Sequence, residues 1–193
     1  MAPNKDEATP IRRQYLDLKR KYADCILFFR LGDFYETFDA DAELISRELD
    51  VFLTSRPVGK DTRIPMAGVP HHAAESYMAR LIERGYRVAV AEQLGSEPVN
   101  GLVPREVRRV MTPGTVVEDR MLDAARPSYL AAMIRGGASG AAGIAYCDIT
   151  TGEFQVRQLE SDIELERELA RIQPRELVVP EGSWSNGAEA DAE

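Results

Sequence analysis

At 193 residues, 44% of them hydrophobic and 29% charged, the chain has room for one full domain and part of a second, in the composition range of globular rather than disordered or fibrous proteins. Its formal charge of −8 is uneven: residues 1–127 hold 19 Lys and Arg against 20 Asp and Glu, residues 128–193 hold 5 against 12. That balance speaks against binding nucleic acid through bulk positive charge, and the polar first eight residues and the broken apolar stretch Tyr129 to Tyr146 speak against a secretory signal or membrane span, so a cytoplasmic location is expected.

Residues 1–8 read as a disordered N-terminus. Thr9-Pro10 then offers a helix cap with proline at the first helical position, followed by Ile11, Tyr15, Leu16 and Leu18 at helical spacing. Cys25 to Phe29 is a short apolar run that fits a strand covered on both faces. Gly32-Asp33 breaks it, and a second helix is expected to follow at once, with Phe38, Ala42, Ile45 and Leu49 on one face. Val51 to Thr54 reads as a strand, Arg56 to Asp61 as a loop, and Pro65 to Pro70, with Gly68 between its prolines, as irregular.

A third helical stripe, Ala74, Tyr77, Met78, Leu81 and Ile82, stops at Gly85. Arg87 to Ala91 and Val107 to Met111 supply further strands, which makes residues 9–115 a mixed α/β domain, a sheet flanked by helices. Residues 116–127 read as a linker. Within 128–181, strands are expected at Tyr129–Ile134, Gly143–Ile149, Phe154–Leu159 and Glu176–Val179, with a helix before the last that opens on the capping pair Ser161 and Glu164. A β-β-β-α-β set leaves its sheet with an unfinished edge, so completion by further chain or by a partner is expected. Residues 182–193 read as a disordered acidic tail. Cys25 and Cys147, far apart and in apolar surroundings, read as small core residues.

Several chemistries are not encoded. Around Gly59-Lys60 a phosphate loop would require glycine at 54 and a hydroxyl residue at 61, where Thr54 and Asp61 stand. His71 and His72 are adjacent and without a Cys-x-x-Cys, a poor zinc set. Asp33, Glu36, Asp39 and Asp41 could in principle gather Mg²⁺ for phosphodiester hydrolysis, although acidic residues also suit the first turn of a helix. From periodicity alone Phe34, four residues before Phe38, simply extends the core stripe.

The segment Gly32-Asp-Phe-Tyr-Glu36 changes that view, because it resembles the Gly-Asp-Phe-Tyr-Glu segment of the MutS DNA mismatch-repair family. The likeness continues through Thr9-Pro10 with Gln14-Tyr15-Leu16, Leu53-Thr54-x-Arg56, Ile64-Pro-Met-Ala-Gly-Val-Pro-x-His72, Val88-Ala-Val-Ala-Glu-Gln93 and Arg109-Val-Met-Thr-Pro-Gly-Thr115. Asp148-Ile-Thr-Thr-Gly-Glu-Phe154 resembles the start of that family's ribonuclease-H-like connector domain, here partial. The resemblance implies that double-stranded DNA with a mismatch or unpaired base is the partner. Phe34 would enter the minor groove as an aromatic wedge, and Glu36 would bond the displaced base. Arg56 is then a candidate phosphate contact and Met66 a candidate groove-lining residue, both from an expected loop position. Full-length relatives carry an ATPase that uses ATP and Mg; no cofactor, metal or catalytic residue is expected of this chain, whose further partners would be the remaining MutS-type domains or other repair proteins. The alternatives are a metal-dependent nuclease around Asp33 and a protein-interaction fragment with a vestigial DNA site.

Overall fold

In the computed structural model, which describes residues 9–58, 62–95, 97–98, 101–117, 127–136 and 140–181, Thr9 caps the first helix as its sequence demands. Its hydroxyl accepts from the Arg12 N–H at 3.3 Å, and Pro10 opens α1 (Pro10–Lys21). The expected disordered ends, residues 1–8 and 182–193, and most of the expected linker lie outside the described residues. The chain divides into two units between Thr112 and Pro113.

The first unit is built on a six-stranded mixed sheet. Its strands are β1 (Ile26–Leu31), β2 (Phe34–Phe38), β3 (Thr54–Pro57), β4 (Arg63–Pro70), β5 (Val88–Gln93) and β6 (Arg105–Met111), in the order β3-β4-β2-β1-β5-β6. β1 lies near the middle, antiparallel to β2 and parallel to β5. Its run Ile26–Phe29 is buried on both faces. Each such side chain removed from water contributes about 1.5–3 kcal/mol. Leu27, Phe29, Phe38, Ala89 and Ala91 form one inner face with Tyr15 and Leu18 of α1. Side chains of the other parity, including Phe28, Tyr35 and Val69, are buried on the opposite face. The helices α2 (Asp39–Leu49) and α3 (Ala74–Glu83) bury Ala42, Ile45, Leu49, Met78, Leu81 and Ile82, and Gly85 takes the left-handed conformation just beyond α3 (φ +86°).

Three expectations fail here, each for a local reason. The segment from Phe34 to Phe38 is a strand and not a helix start: Gly32-Asp33 is a two-residue turn, not a break between element types, and α2 begins only at Asp39. Asp39 turns the corner with φ +54°, held by its ion pair with Arg12 at 2.5 Å. Val51 to Leu53 lie outside any strand, whereas Arg56 and Pro57, read as loop, belong to β3. Pro65 to Pro70 is not irregular but falls within β4, its prolines set near the two ends of the strand.

In the second unit, β7 (Tyr129–Ile134), β8 (Ala142–Asp148) and β9 (Glu153–Leu159) run antiparallel, and β10 (Glu176–Val178) joins β7 in parallel, in the order β10-β7-β8-β9. Between β9 and β10 lies α4 (Asp162–Ile172). Ser161 accepts from the Glu164 N–H at 3.3 Å, and the Glu164 carboxylate accepts in return from the Glu160 N–H at 3.0 Å. Leu165 and Ile172 of α4 pack with Ala131, Met133, Ile144, Tyr146 and Leu159. Cys25 is buried, as expected, but Cys147 is only half-buried because it leaves β8 on the face opposite that cluster.

Candidate nucleic-acid interface

The two-residue turn sets the course of the strand after it. Gly32 is left-handed (φ +58°), a conformation that suits glycine, and Leu31 pairs with Phe34 directly across the turn. Phe34 is therefore the first residue of β2. Alternation along the strand sends Phe34, Glu36 and Phe38 to one face and Tyr35 and Thr37 to the other. Phe38 is sealed beneath the Tyr15 ring, edge-on with centroids 4.8 Å apart, while Phe34 stands 47% exposed. So Phe34 does not extend the core stripe that helical spacing suggests.

Neighbouring strands complete the face. Opposite Phe34, Glu36 and Phe38 on β4 stand Pro70, Gly68 and Met66; opposite Glu36 on β1 stands Phe29. Gly68 sets no side chain beside Glu36. A Cβ built there would meet the Tyr35 carbonyl oxygen at 3.3 Å and the Glu36 Cγ at 3.5 Å, so the Glu36 stem lies close over the place a side chain at 68 would take. Met66 is half-buried and packs against the cluster around Phe38.

Arg56 reaches across from β3. Its Nη1 donates to Glu36 Oε2, and its guanidinium lies 5.9 Å from the Phe38 ring centre. Burial pushes the Glu36 carboxyl above the usual carboxylate range; the Arg56 charge and hydrogen bond pull the other way, and burial wins.

On the reverse face Tyr35 anchors the turn. Its hydroxyl donates to Glu92, the Arg30 guanidinium lies 5.4 Å from its ring, and His71 lies 5.5 Å away. The His71 N–H donates to the Asp33 carbonyl at 2.8 Å, so the turn is also bonded to the end of β4.

The structure thus gathers Phe34, Glu36, Arg56 and Met66 on one sheet face, although the last two come from strands and not from the expected loop. Sequence reasoning missed Gly68 and Tyr35. Gly68 had a signal, a glycine inside a run that alternates once β4 is known; Tyr35 had none until its strand was known. The acidic cluster is dispersed: Glu36 goes to Arg56, Asp39 to Arg12, and Asp41 to Tyr15, Lys19 and the Leu27 N–H. Among the described residues no three His, Cys, Asp or Glu are placed to share a metal ion.

Comparison with known proteins agrees with this layout. Residues 9–120 match the family profile of MutS domain I, and residues 128–192 that of MutS domain II. Among relatives, the DNA mismatch repair protein MutS of Symbiobacterium thermophilum is 51% identical over 181 residues, covering 91% of this chain and 20% of its own. That of Dehalococcoides mccartyi is 45% identical over 183 residues, 94% of this chain and 21% of the relative. That of a Synechococcus species is 49% identical over 177 residues, 89% of this chain and 20% of the relative. The chain spans about a fifth of the length of the curated relatives it matches. With both units matched in order, the chain belongs to the MutS family of DNA mismatch repair proteins, of which it carries domains I and II.

Proposed function

We propose that the first unit recognises mismatched or unpaired bases in duplex DNA through the face that bears Phe34 and Glu36. The observation that carries this is an aromatic ring left half-exposed at the start of a hydrogen-bonded strand, two residues from a half-buried carboxyl on the same face. Phe34 enters the minor groove and stacks on a base at the mispaired step, where unstacking and bending cost less than in paired DNA. That difference in deformation cost is the selectivity. Glu36 bonds the displaced base. A carboxylate can only accept, so to bond a bare purine ring nitrogen it must hold a proton, which burial and nearby phosphates favour. Arg56 supplies a phosphate contact, and Met66 lines the groove beside Phe38.

The matched regions are not the family's ATPase, and the role proposed for this chain is recognition without ATP or Mg; its place of action is the cytoplasm. No helix among the described residues is long and apolar enough to cross a membrane. The second unit supports a contact with the remaining MutS-type domains. The sheet face away from α4 presents Ile134, Phe154, Val156 and Val178, all more than half exposed, and an apolar face of that kind is normally covered.

Gel-shift titration of paired, mismatched and single-base-bulged duplexes, with and without Mg²⁺, tests the reading. Preference for the mismatch without Mg²⁺ and without strand cleavage is expected; cleavage that requires Mg²⁺, or equal binding to all duplexes, would overturn it. With few phosphates neutralised, log affinity should fall with log salt at a slope of about −2 to −3.

A further inference from the structure

The pairing of Glu36 with Arg56 raises a question that mismatch recognition alone does not answer: the carboxyl that must meet a base is occupied in the free protein. We propose that Arg56 is a positioning residue for mismatch discrimination: free, it holds Glu36 as an ion, and on docking it exchanges Glu36 for a DNA phosphate, so that Glu36 takes one proton from solvent and donates it to the displaced base. This rests on the DNA reading above and deepens it.

Three observations carry the proposal. Arg56 sits on β3, the edge strand, and its side chain is 33% exposed against 18% for Glu36, so the cation is on the solvent side of the pair and is the partner free to turn outward. Gly68, opposite Glu36 on β4, sets no side chain of its own against the carboxyl. The groups that flank Glu36 from the other strands, Phe29 on β1 and Gly68 on β4, carry no charge; Arg105, 5.0 Å from the Phe29 ring, donates to the Arg30 and Val103 carbonyls and to Gln14, and Arg12 is paired with Asp39. Arg56 is therefore the charge opposing burial in holding Glu36 ionised, and a phosphate that captures the guanidinium removes that opposition and adds a like charge. The proton balance is simple: one proton leaves solvent for each mismatch bound through Glu36, and none for paired DNA.

Calorimetry of the full 193-residue chain with a single-base-bulged and a paired duplex, near neutral pH in two buffers of different ionisation enthalpy, counts that proton. Net uptake is expected with the bulged duplex, close to none with the paired one, and none with either in Glu36→Gln. In Arg56→Gln the free carboxyl already holds more of its proton, so uptake on binding falls, and mismatch preference persists to higher pH than in wild type. Arg56→Lys, which keeps the charge, retains the uptake. Carbon NMR of the Glu36 carboxyl in the DNA-free chain gives an independent arm: its titration midpoint should move to higher pH in Arg56→Gln and not in Arg56→Lys. The proposal is overturned if Arg56→Gln weakens paired and bulged duplexes by the same factor while uptake and midpoint stay put, since Arg56 is then a phosphate contact and nothing more. That result leaves mismatch reading intact. A wild-type chain with no mismatch preference, unchanged by Phe34→Ala, instead removes the DNA reading and the proposal with it.

Discussion

Phe34 and Phe38 leave the same face of the same strand four residues apart, yet only Phe38 lies under the Tyr15 ring. On the proposed reading the two phenylalanines separate stability from recognition. Phe38→Ala should cost about 3–5 kcal/mol by opening a cavity beneath Tyr15, whereas Phe34→Ala should cost about 1 kcal/mol or less. Denaturant melts beside mismatch titrations check this. The Phe34 variant should melt near wild type and bind bulged and paired duplexes alike; a variant that melts as early as the Phe38 one places Phe34 in the core.

Gly68 faces Glu36 across β2 and β4 with no side chain of its own. Gly68→Val crowds the Glu36 stem and presses on the Tyr35 carbonyl oxygen, already 3.3 Å from where a Cβ would stand. The expected result is a loss of mismatch preference of tenfold or more, about 1.4 kcal/mol, while weak binding to paired DNA remains. Competition titrations with the two duplexes measure it, and unchanged preference would show that recognition does not depend on the Glu36 stem lying there.

Asp41 ties three elements together. It accepts from the Leu27 N–H at 3.0 Å, the Lys19 ammonium at 2.9 Å and the Tyr15 hydroxyl at 3.3 Å, and burial with this nearby carboxylate keeps the Tyr15 phenol un-ionised well above its ordinary range. Asp41→Ala leaves a buried backbone donor and a half-buried cation without their acceptor, so a loss of about 3–5 kcal/mol is expected. Asp41→Asn should lose less. Urea melts followed by circular dichroism decide the order.

Glu168 contributes to the acid response of the second unit. The Arg171 hydrogen bond and then Arg157 hold its carboxyl down at about 2, below the ordinary value of 4.5. A depressed carboxyl stabilises the fold above its unfolded value, so this contribution is full above about pH 4.5 and is lost as pH falls towards 2. Because both arginines are half exposed, about 1–2 kcal/mol is expected rather than the full shift. Glu168→Gln should be less stable at pH 7 and should approach wild type only as pH falls to about 2 and below, read from thermal melts across that range.

How much the sequence disclosed depends on how locally each element is specified. α1 and α4 were legible because Thr9 satisfies a helix-end donor where Pro10 has none to satisfy, and because Ser161 and Glu164 satisfy such donors from within the same turn. β1 was legible because a run of buried apolar residues has few other uses. β2 was not, since Phe38, Ala42, Ile45 and Leu49 keep helical spacing and Phe34 extends it by one turn; only the pairing with β1 and β4, which is not local, makes that turn a strand. β4 was hidden by its two prolines and by Gly68, which empties one place in the alternation. The apolar run Val51–Leu53 misled in the opposite direction, because Phe52 lies almost wholly in solvent. The candidate site residues were chosen through family likeness, but the Glu36–Arg56 pair was not legible, because it crosses from β2 to β3 over an intervening strand.

Phe34 is carried on a strand hydrogen-bonded on both sides, to β1 through the tight turn and to β4 through its length. Ordering a backbone residue costs about 1–2 kcal/mol of conformational entropy, and for β2 that loss is complete once the sheet has formed. On the proposed reading, binding then has little protein disorder left to remove, and the ring would meet DNA already aimed. What must still change shape, on that reading, is the duplex, so the rate of capture should follow how readily the mispaired step bends.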